Sequence, residues 1–195
     1  VGQFFESAVL TAGKDVQATY LLNCQLKANG KLLVEGRKGV IIGGKTCAKL
    51  GVSCNGIGNI AEIATVVSVG IDKEDMTAYQ ELQKKIEQTQ AELQTCENGL
   101  NKLMANPVHD EKVSMMIQRL TRAVYTLKSS RKELFSERNA QMEQMTKQKE
   151  ARIQVSGRAY PGTLLFLNED PFAIKEIYNN VEFVKHDNRI DTLAH

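Results

Sequence analysis

Apolar and small residues alternate with polar ones through the first 71 positions, and no helical period is present there. An alternation of period two predicts β-strands, and the intervening glycines and asparagines supply tight turns. The segment 12–18 superposes on 28–34 at an offset of 16 residues, and the next copy follows at an offset of 20, with the extra length at 36–39. A repeat this short suits one turn of a parallel β-solenoid, in which each turn buries its inward residues on the next. The aligned columns are Ala8 with Cys24, Leu10 with Leu26, Ala12 with Ala28 and Ala48, Leu32 with Val52, and Val34 with Cys54.

The pattern becomes helical between Lys73 and Glu150, where glycine nearly vanishes. Apolar residues recur there at alternating spacings of three and four, which is typical of a coiled coil. A turn is predicted at 104–110, because Pro107 cannot continue a helix and Asp110 can cap the next one. The first seam comprises Tyr79, Leu82, Ile86, Thr89, Leu93, Cys96, Leu100 and Leu103, and the second comprises Val113, Ile117, Leu120, Val124, Leu127 and Leu134.

Charge predicts how the two helical arms pair. The arm 73–104 carries 4 basic and 6 acidic residues, whereas the arm 110–150 carries 9 and 6. Arms of opposite net charge favour a self-contained antiparallel hairpin. The methionines of this block are interpreted as packing residues, with an adhesive Met-rich tip as the alternative. They are Met104, Met115, Met116, Met142 and Met145.

Polar residues interrupt the second seam at Arg131, Arg138 and Gln141. We expect the arginines to reach outward or to pair with Glu87 or another carboxylate. The hairpin should therefore be weakest near its root and firmest near Pro107, unless a second copy of the chain packs against the root.

The β-like alternation returns at Arg152, with a turn at 160–162. We therefore predict that 1–72 and 152–195 are two parts of one β-helix and that 73–151 is an antiparallel coiled-coil hairpin inserted between them. If the two parts complete one stack, the ends of the insertion must lie side by side.

Composition excludes several classes of protein. The chain has 25 Lys and Arg against 23 Asp and Glu, a net charge of +2 that provides no strong field for nucleic-acid phosphates. No apolar run approaches the roughly 20 residues of a membrane span, and residues 1–3 do not resemble a signal peptide. Because the sequence has no initiator Met, we expect it to be a fragment or a processed chain. The four cysteines are 23, 7 and 42 residues apart, which predicts reduced thiols in a cytoplasmic protein.

The segment Gly39–Thr46 matches the G-x-x-x-x-G-K-T phosphate-loop pattern. That chemistry requires a helix after the loop, whose N-terminal amides hold the phosphates. Here the loop interior is Val-Ile-Ile, which favours a strand, and the glycine-rich segment 47–58 has no helical pattern. A solenoid turn is therefore favoured, and nucleotide binding through Gly39 to Thr46 is the less favoured alternative.

Other motifs that could carry chemistry are weaker. Gly56–Ala61 matches a dinucleotide-binding fingerprint, but no βαβ pattern surrounds it. His109, His186 and His195 lie on separate elements without acidic residues at ligand spacing, so no metal site is expected. No set of catalytic residues and no cofactor is predicted.

The order of segments resembles the flagellar assembly protein A (FapA) family. The resemblance is carried by 34–44, by Cys47-Ala48-Lys49, by 65–70, by the long coiled coil and by 153–163. It implies a mainly β fold, namely a right-handed parallel β-helix (β-solenoid) interrupted by a helical hairpin. It also implies a cytosolic bacterial protein that has no established catalytic residues and is linked to flagellar assembly. Because family members are longer at the N-terminus, it also implies a C-terminal portion. The segment 59–64 departs from the family's proline- or glycine-punctuated turn.

These observations predict a non-enzymatic scaffold with a rigid β-helix and a coiled-coil arm. The arm is expected to serve self-association or the binding of a protein partner, which includes formation of a homo-oligomer. The alternative is a β-helix enzyme of the acyltransferase type, although such folds use strict hexapeptide periods and a histidine between subunits, neither of which is found in this repeat.

Overall fold

The computed structural model describes residues 4–105, 110–187 and 189–194. The chain divides into two compact units, one formed by Val1–Lys73 with Gln144–His195 and the other by Glu74–Glu143. The first unit is a solenoid-like β-sheet, and the second is helical. The strands are β1 (Phe4–Glu6), β2 (Val9–Ala12), β3 (Val16–Ala18), β4 (Tyr20–Ala28), β5 (Leu32–Val34), β6 (Val40–Ala48), β7 (Val52–Ile57), β8 (Thr65–Val69), β9 (Ile153–Ala159), β10 (Thr163–Leu167), β11 (Asp170–Ala173), β12 (Tyr178–His186) and β13 (Arg189–Ala194), and the helices are α1 (Lys73–Met104) and α2 (Glu111–Lys149).

The strands stack in parallel with the registers that the sequence repeat predicts. Strand β2 pairs with β4 at an offset of 16, and β4 pairs with β6 at an offset of 20. The same two offsets join β3 to β5 and β5 to β7. The predicted pairs Leu10 with Leu26, Ala12 with Ala28, Ala28 with Ala48, Leu32 with Val52 and Val34 with Cys54 are confirmed.

Columns of buried side chains fill the interior of this stack. One column runs through Leu32, Val52, Ile153 and Phe183, each at most 3% exposed. Apolar residues at alternate positions can form such columns because successive side chains of a strand point to opposite faces of the sheet. Strands from both sides of the helical insertion therefore share one hydrophobic core.

A bend within β4 and β6 requires glycine. Asn23 and Gly43 have φ values of 50° and 70°, in the left-handed region that glycine and asparagine tolerate best. At Gly44, with φ 75°, a Cβ atom would lie 2.2 Å from the carbonyl oxygen of Cys24. The two adjacent glycines thus let neighbouring turns of the solenoid approach closely at this bend.

Asn168 joins the two ends of the helical insertion. Its Oδ1 accepts a hydrogen bond from the backbone N–H of Ile71 at 2.9 Å, and its Nδ2 donates to the carbonyl oxygen of Lys149 at 3.1 Å. The residue has φ 51°, a conformation that asparagine adopts more readily than most residues. The expectation that the ends of the insertion lie side by side is confirmed.

The last strands depart from the predicted parallel stack. Strands β9 and β10 continue it, but β11 is antiparallel to β10, and β12 is antiparallel to both β9 and β13. An aromatic cluster of Phe172, Tyr178 and Phe183 packs at this end, with ring centroids 5.5 to 6.4 Å apart. The interpretation of all of 152–195 as parallel β-helix was therefore wrong for its last three strands. Alternation predicts a strand but not the direction in which it pairs.

Candidate functional site

The helical unit was predicted to carry the interaction surface. At the start of α2, the Oδ1 of Asp110 accepts the N–H of Val113 at 2.8 Å, so the predicted N-cap is confirmed. The predicted turn with Pro107 and His109 lies outside the described residues.

The structure places the predicted seam residues on the less exposed face of each helix. Leu82, Ile86, Leu93 and Val124 are buried, whereas most of the residues next to them are exposed. The remaining seam residues are half-buried; they are Tyr79, Thr89, Cys96, Leu100, Leu103, Val113, Ile117, Leu120, Leu127 and Leu134. On α1, Leu82 and Ile86 near the root are therefore more buried than Leu103 near the predicted turn. The sequence pattern predicted the tightest packing near the turn instead.

Polar contacts join the two helices along their length. The Nζ of Lys128 lies 2.8 Å from the Oε1 of Glu97, and Arg131 donates to the Oε1 of Gln90 at 2.8 Å. A third contact, at 3.4 Å, runs from the side-chain amide of Gln141 to the backbone carbonyl of Asp75. Along these contacts the residue numbers fall on α2 as they rise on α1.

The arginines on the second seam are accommodated without the expected carboxylate Glu87. Arg131 uses the neutral amide of Gln90 instead. The guanidinium of Arg138 lies 4.7 Å from the ring centroid of Phe135 and donates to the Oδ1 of Asn139 at 3.1 Å. A guanidinium can be held by an aromatic ring and an amide instead of a carboxylate, and the cost of desolvating an ion pair is then avoided.

A groove along residues 112–123 of α2 combines methionines with basic residues. Met115 and Met116 are 51% and 56% exposed, and Lys112 and Arg119 are exposed beside them. The sequence pattern pointed to the methionines but not to the groove. The missed signal is the absence of any acidic residue from Lys112 to Lys132, a stretch with six basic residues.

The phosphate-loop pattern lies in β6 rather than in a loop before a helix. Val40–Ala48 is one strand, and the next regular element is strand β7. Gly43 donates its backbone N–H to the Oγ1 of Thr65 at 2.8 Å, so this amide is already used within the sheet. The geometry therefore supports the solenoid interpretation of Gly39–Thr46. The second motif, Gly56–Ala61, covers the end of β7 and the turn after it.

The cysteines and histidines form no cluster within the part of the chain that the structure describes. Cys24 and Cys54 are buried inside the solenoid, while Cys47 and Cys96 are half-buried, and all four are free thiols. Burial raises the pKa of the Cys54 thiol to about 12. His186 contacts Asp191 at 3.2 Å, and His195 lies outside the described residues. Among residues 4–105, 110–187 and 189–194, no three His, Cys, Asp or Glu side chains are placed to hold a metal ion.

Neither helix, over its described residues, contains a stretch long and apolar enough to cross a membrane.

Successive parallel strands with inward columns, interrupted by two long helices between β8 and β9, define the chain as a β-solenoid protein with a helical insertion. The family model of the Flagellar Assembly Protein A (FapA) beta solenoid domain matches residues 1–190. The chain therefore belongs to the FapA family. No curated protein and no solved structure matches it.

Proposed function

We propose that this chain is a non-enzymatic cytoplasmic scaffold in which a right-handed β-solenoid is a rigid shaft and the helices form an antiparallel coiled-coil arm that binds a protein partner. The observation that carries the proposal is the helical unit itself. Its apolar residues face inward at coiled-coil spacing, and its outer face presents exposed methionines beside basic residues. The family description links the solenoid domain to flagellar assembly, and we propose that the scaffold acts in that process.

The order of contacts supports the antiparallel arm. Along the contacts 75 with 141, 90 with 131 and 97 with 128, the residue numbers rise on α1 and fall on α2, as expected for two helices that run in opposite directions. In this register the seam positions of α1 and α2 would form successive layers. The organisation that we propose is a solenoid from 1–72 and 152–195 with the arm at 73–151.

The solenoid supports the role of a rigid shaft. Its core columns continue across strands from both sides of the insertion, and Asn168 binds both ends of the insertion to one strand end.

Excision of the arm tests the proposal. Residues 74–143 are replaced by a short Gly-Ser bridge, and the excised and full chains are compared as baits in a native lysate and by sedimentation velocity. We expect a folded, β-rich core that loses the partners or the self-association of the full chain. Retention of all partners by the excised chain, or an unfolded core, would refute the scaffold-and-arm proposal.

The competing enzyme hypothesis has its own assay. A β-helix acyltransferase would turn over acyl-CoA with an amine or alcohol acceptor, whereas the proposed scaffold would not. Turnover by the purified chain that is unaffected by excision of 74–143 would place the function in the solenoid.

A further inference from the structure

The first half of α2 carries a cluster of basic residues. Six basic residues and no acidic residue occur from Lys112 to Lys132. Lys128 pairs with Glu97, and Arg131 is hydrogen-bonded to Gln90. The others form no ion pair with any residue in the described ranges; they are Lys112, Arg119, Arg122 and Lys132.

Two of these basic side chains border an open apolar groove of about 420 Å³. Among the described residues its lining contains no carboxylate; it consists of Lys112, Met115, Met116, Arg119, Leu120 and Ala123. Single exposed apolar residues are normal on a protein surface, but adjacent methionines in a concavity resemble the adaptable surfaces that bind apolar side chains. The groove thus offers an apolar floor between positively charged borders.

We propose that this groove docks an acidic amphipathic segment of a partner protein. A large apolar side chain of the segment lies between Met115 and Met116, and its carboxylates lie next to Lys112 and Arg119. Charge complementarity identifies this occupant, because the groove contains only basic charges and an acidic segment is both attracted to them and oriented by them. The inference rests on the proposed function, since it names the partner class of the proposed arm.

The shape of the surface favours a protein segment over a lipid bilayer. Interfacial membrane helices insert a convex face of large apolar residues into the headgroup region. Here the exposed apolar side chains of the groove are only two methionines, 51% and 56% exposed, and Lys112 and Arg119 lie on the same stretch of helix. A helix or extended segment can place one side chain into such a groove and still leave its carboxylates at the border.

The test uses a fluorescently labelled synthetic peptide as the probe, binding to the full chain by anisotropy. The peptide is a helix of about 18 residues with leucines at i, i+3, i+4 and i+7 and glutamates elsewhere. A matched peptide replaces every glutamate with lysine. Arg119→Glu reverses a charge at the groove, Lys132→Glu makes the same change on the same helix outside it, and Met116→Gln removes an apolar lining side chain.

We expect the acidic peptide to bind saturably. Arg119→Glu and Met116→Gln should weaken binding at least about tenfold, and Lys132→Glu should change it by less than about twofold. Circular dichroism of each variant checks that helix content is unchanged, and Arg119→Gln replaces Arg119→Glu if the charge reversal unfolds the arm.

Four results would overturn the inference. They are no binding of the acidic peptide, equal binding of the lysine peptide, equal losses in Arg119→Glu and Lys132→Glu, and preferential binding to phosphatidylserine vesicles. If one of these occurs while excision of 74–143 still abolishes partner binding, the arm remains the binding element and only the acidic-segment inference fails. If excision has no effect, the proposed function fails independently.

Discussion

Gly99 provides a quantitative test of how the helical unit is packed. It lies inside α1, where glycine is less favourable than alanine by about 0.5 to 1 kcal/mol because of its backbone entropy. A Cβ atom at this position would meet only Leu120 Cδ1, at 3.7 Å, an ordinary van der Waals contact. Gly99→Ala should therefore stabilise the helical unit by about 0.5 to 1 kcal/mol, since the new methyl fits without a clash.

The measurement is urea unfolding followed by the helical circular-dichroism signal, so that the helical unit is observed even if the two units unfold separately. The matched control is Gly44→Ala in β6, where φ is 75° and a Cβ would lie 2.2 Å from the Cys24 carbonyl oxygen. That substitution should destabilise the β unit by more than about 1 kcal/mol, followed by amide hydrogen exchange of the strands, because alanine is strained in the left-handed region. A neutral or destabilising Gly99→Ala would refute the packing described for α1 against α2.

Three further predictions concern the junction, the buried thiol and the arm. Asn168→Ala removes two hydrogen bonds and should destabilise the β unit by about 1 to 3 kcal/mol. Asn168→Asp keeps the acceptor for Ile71 but places a carboxylate oxygen against the carbonyl oxygen of Lys149, so it should also be destabilising. Urea unfolding measures both, and equal stability of all three proteins would contradict the junction's role. Burial raises the pKa of Cys54 from 9.0 to about 12, so the stability that its neutral thiol contributes is complete below pH 9 and declines as the pH rises toward 12. Unfolding free energies across that range should fall more steeply for the parent than for Cys54→Ala, and a thiol reagent at neutral pH should label Cys96 before Cys54. Amide hydrogen exchange in the helical unit should be slowest around Leu93, the least exposed seam residue, and faster around Leu103 and Val113, which are only half-buried; uniform protection would exclude this gradient.

The sequence alone determined the solenoid register and the helical periods. Both depend on local geometry. A hydrophobic period of two shows which face of a strand is buried, and spacings of three and four show which face of a helix is buried. The spacing of apolar residues therefore predicted the pairing of Leu10 with Leu26 and of Val34 with Cys54. Likewise, Pro107 and Asp110 predicted the end of one helix and the start of the next, and the cap at Asp110 is present.

Only the tertiary structure decided the features that join residues distant in sequence. Asn168 hydrogen-bonds to Ile71, 97 positions away, and nothing in its local sequence distinguishes it from an ordinary turn asparagine. The antiparallel direction of β11 to β13 was equally hidden, because alternation is the same for either direction of pairing. The basic groove was also hidden in the sequence. Several charges and methionines lie on α2, and which of them share one face depends on how the helix is rotated about its own axis when its seam packs.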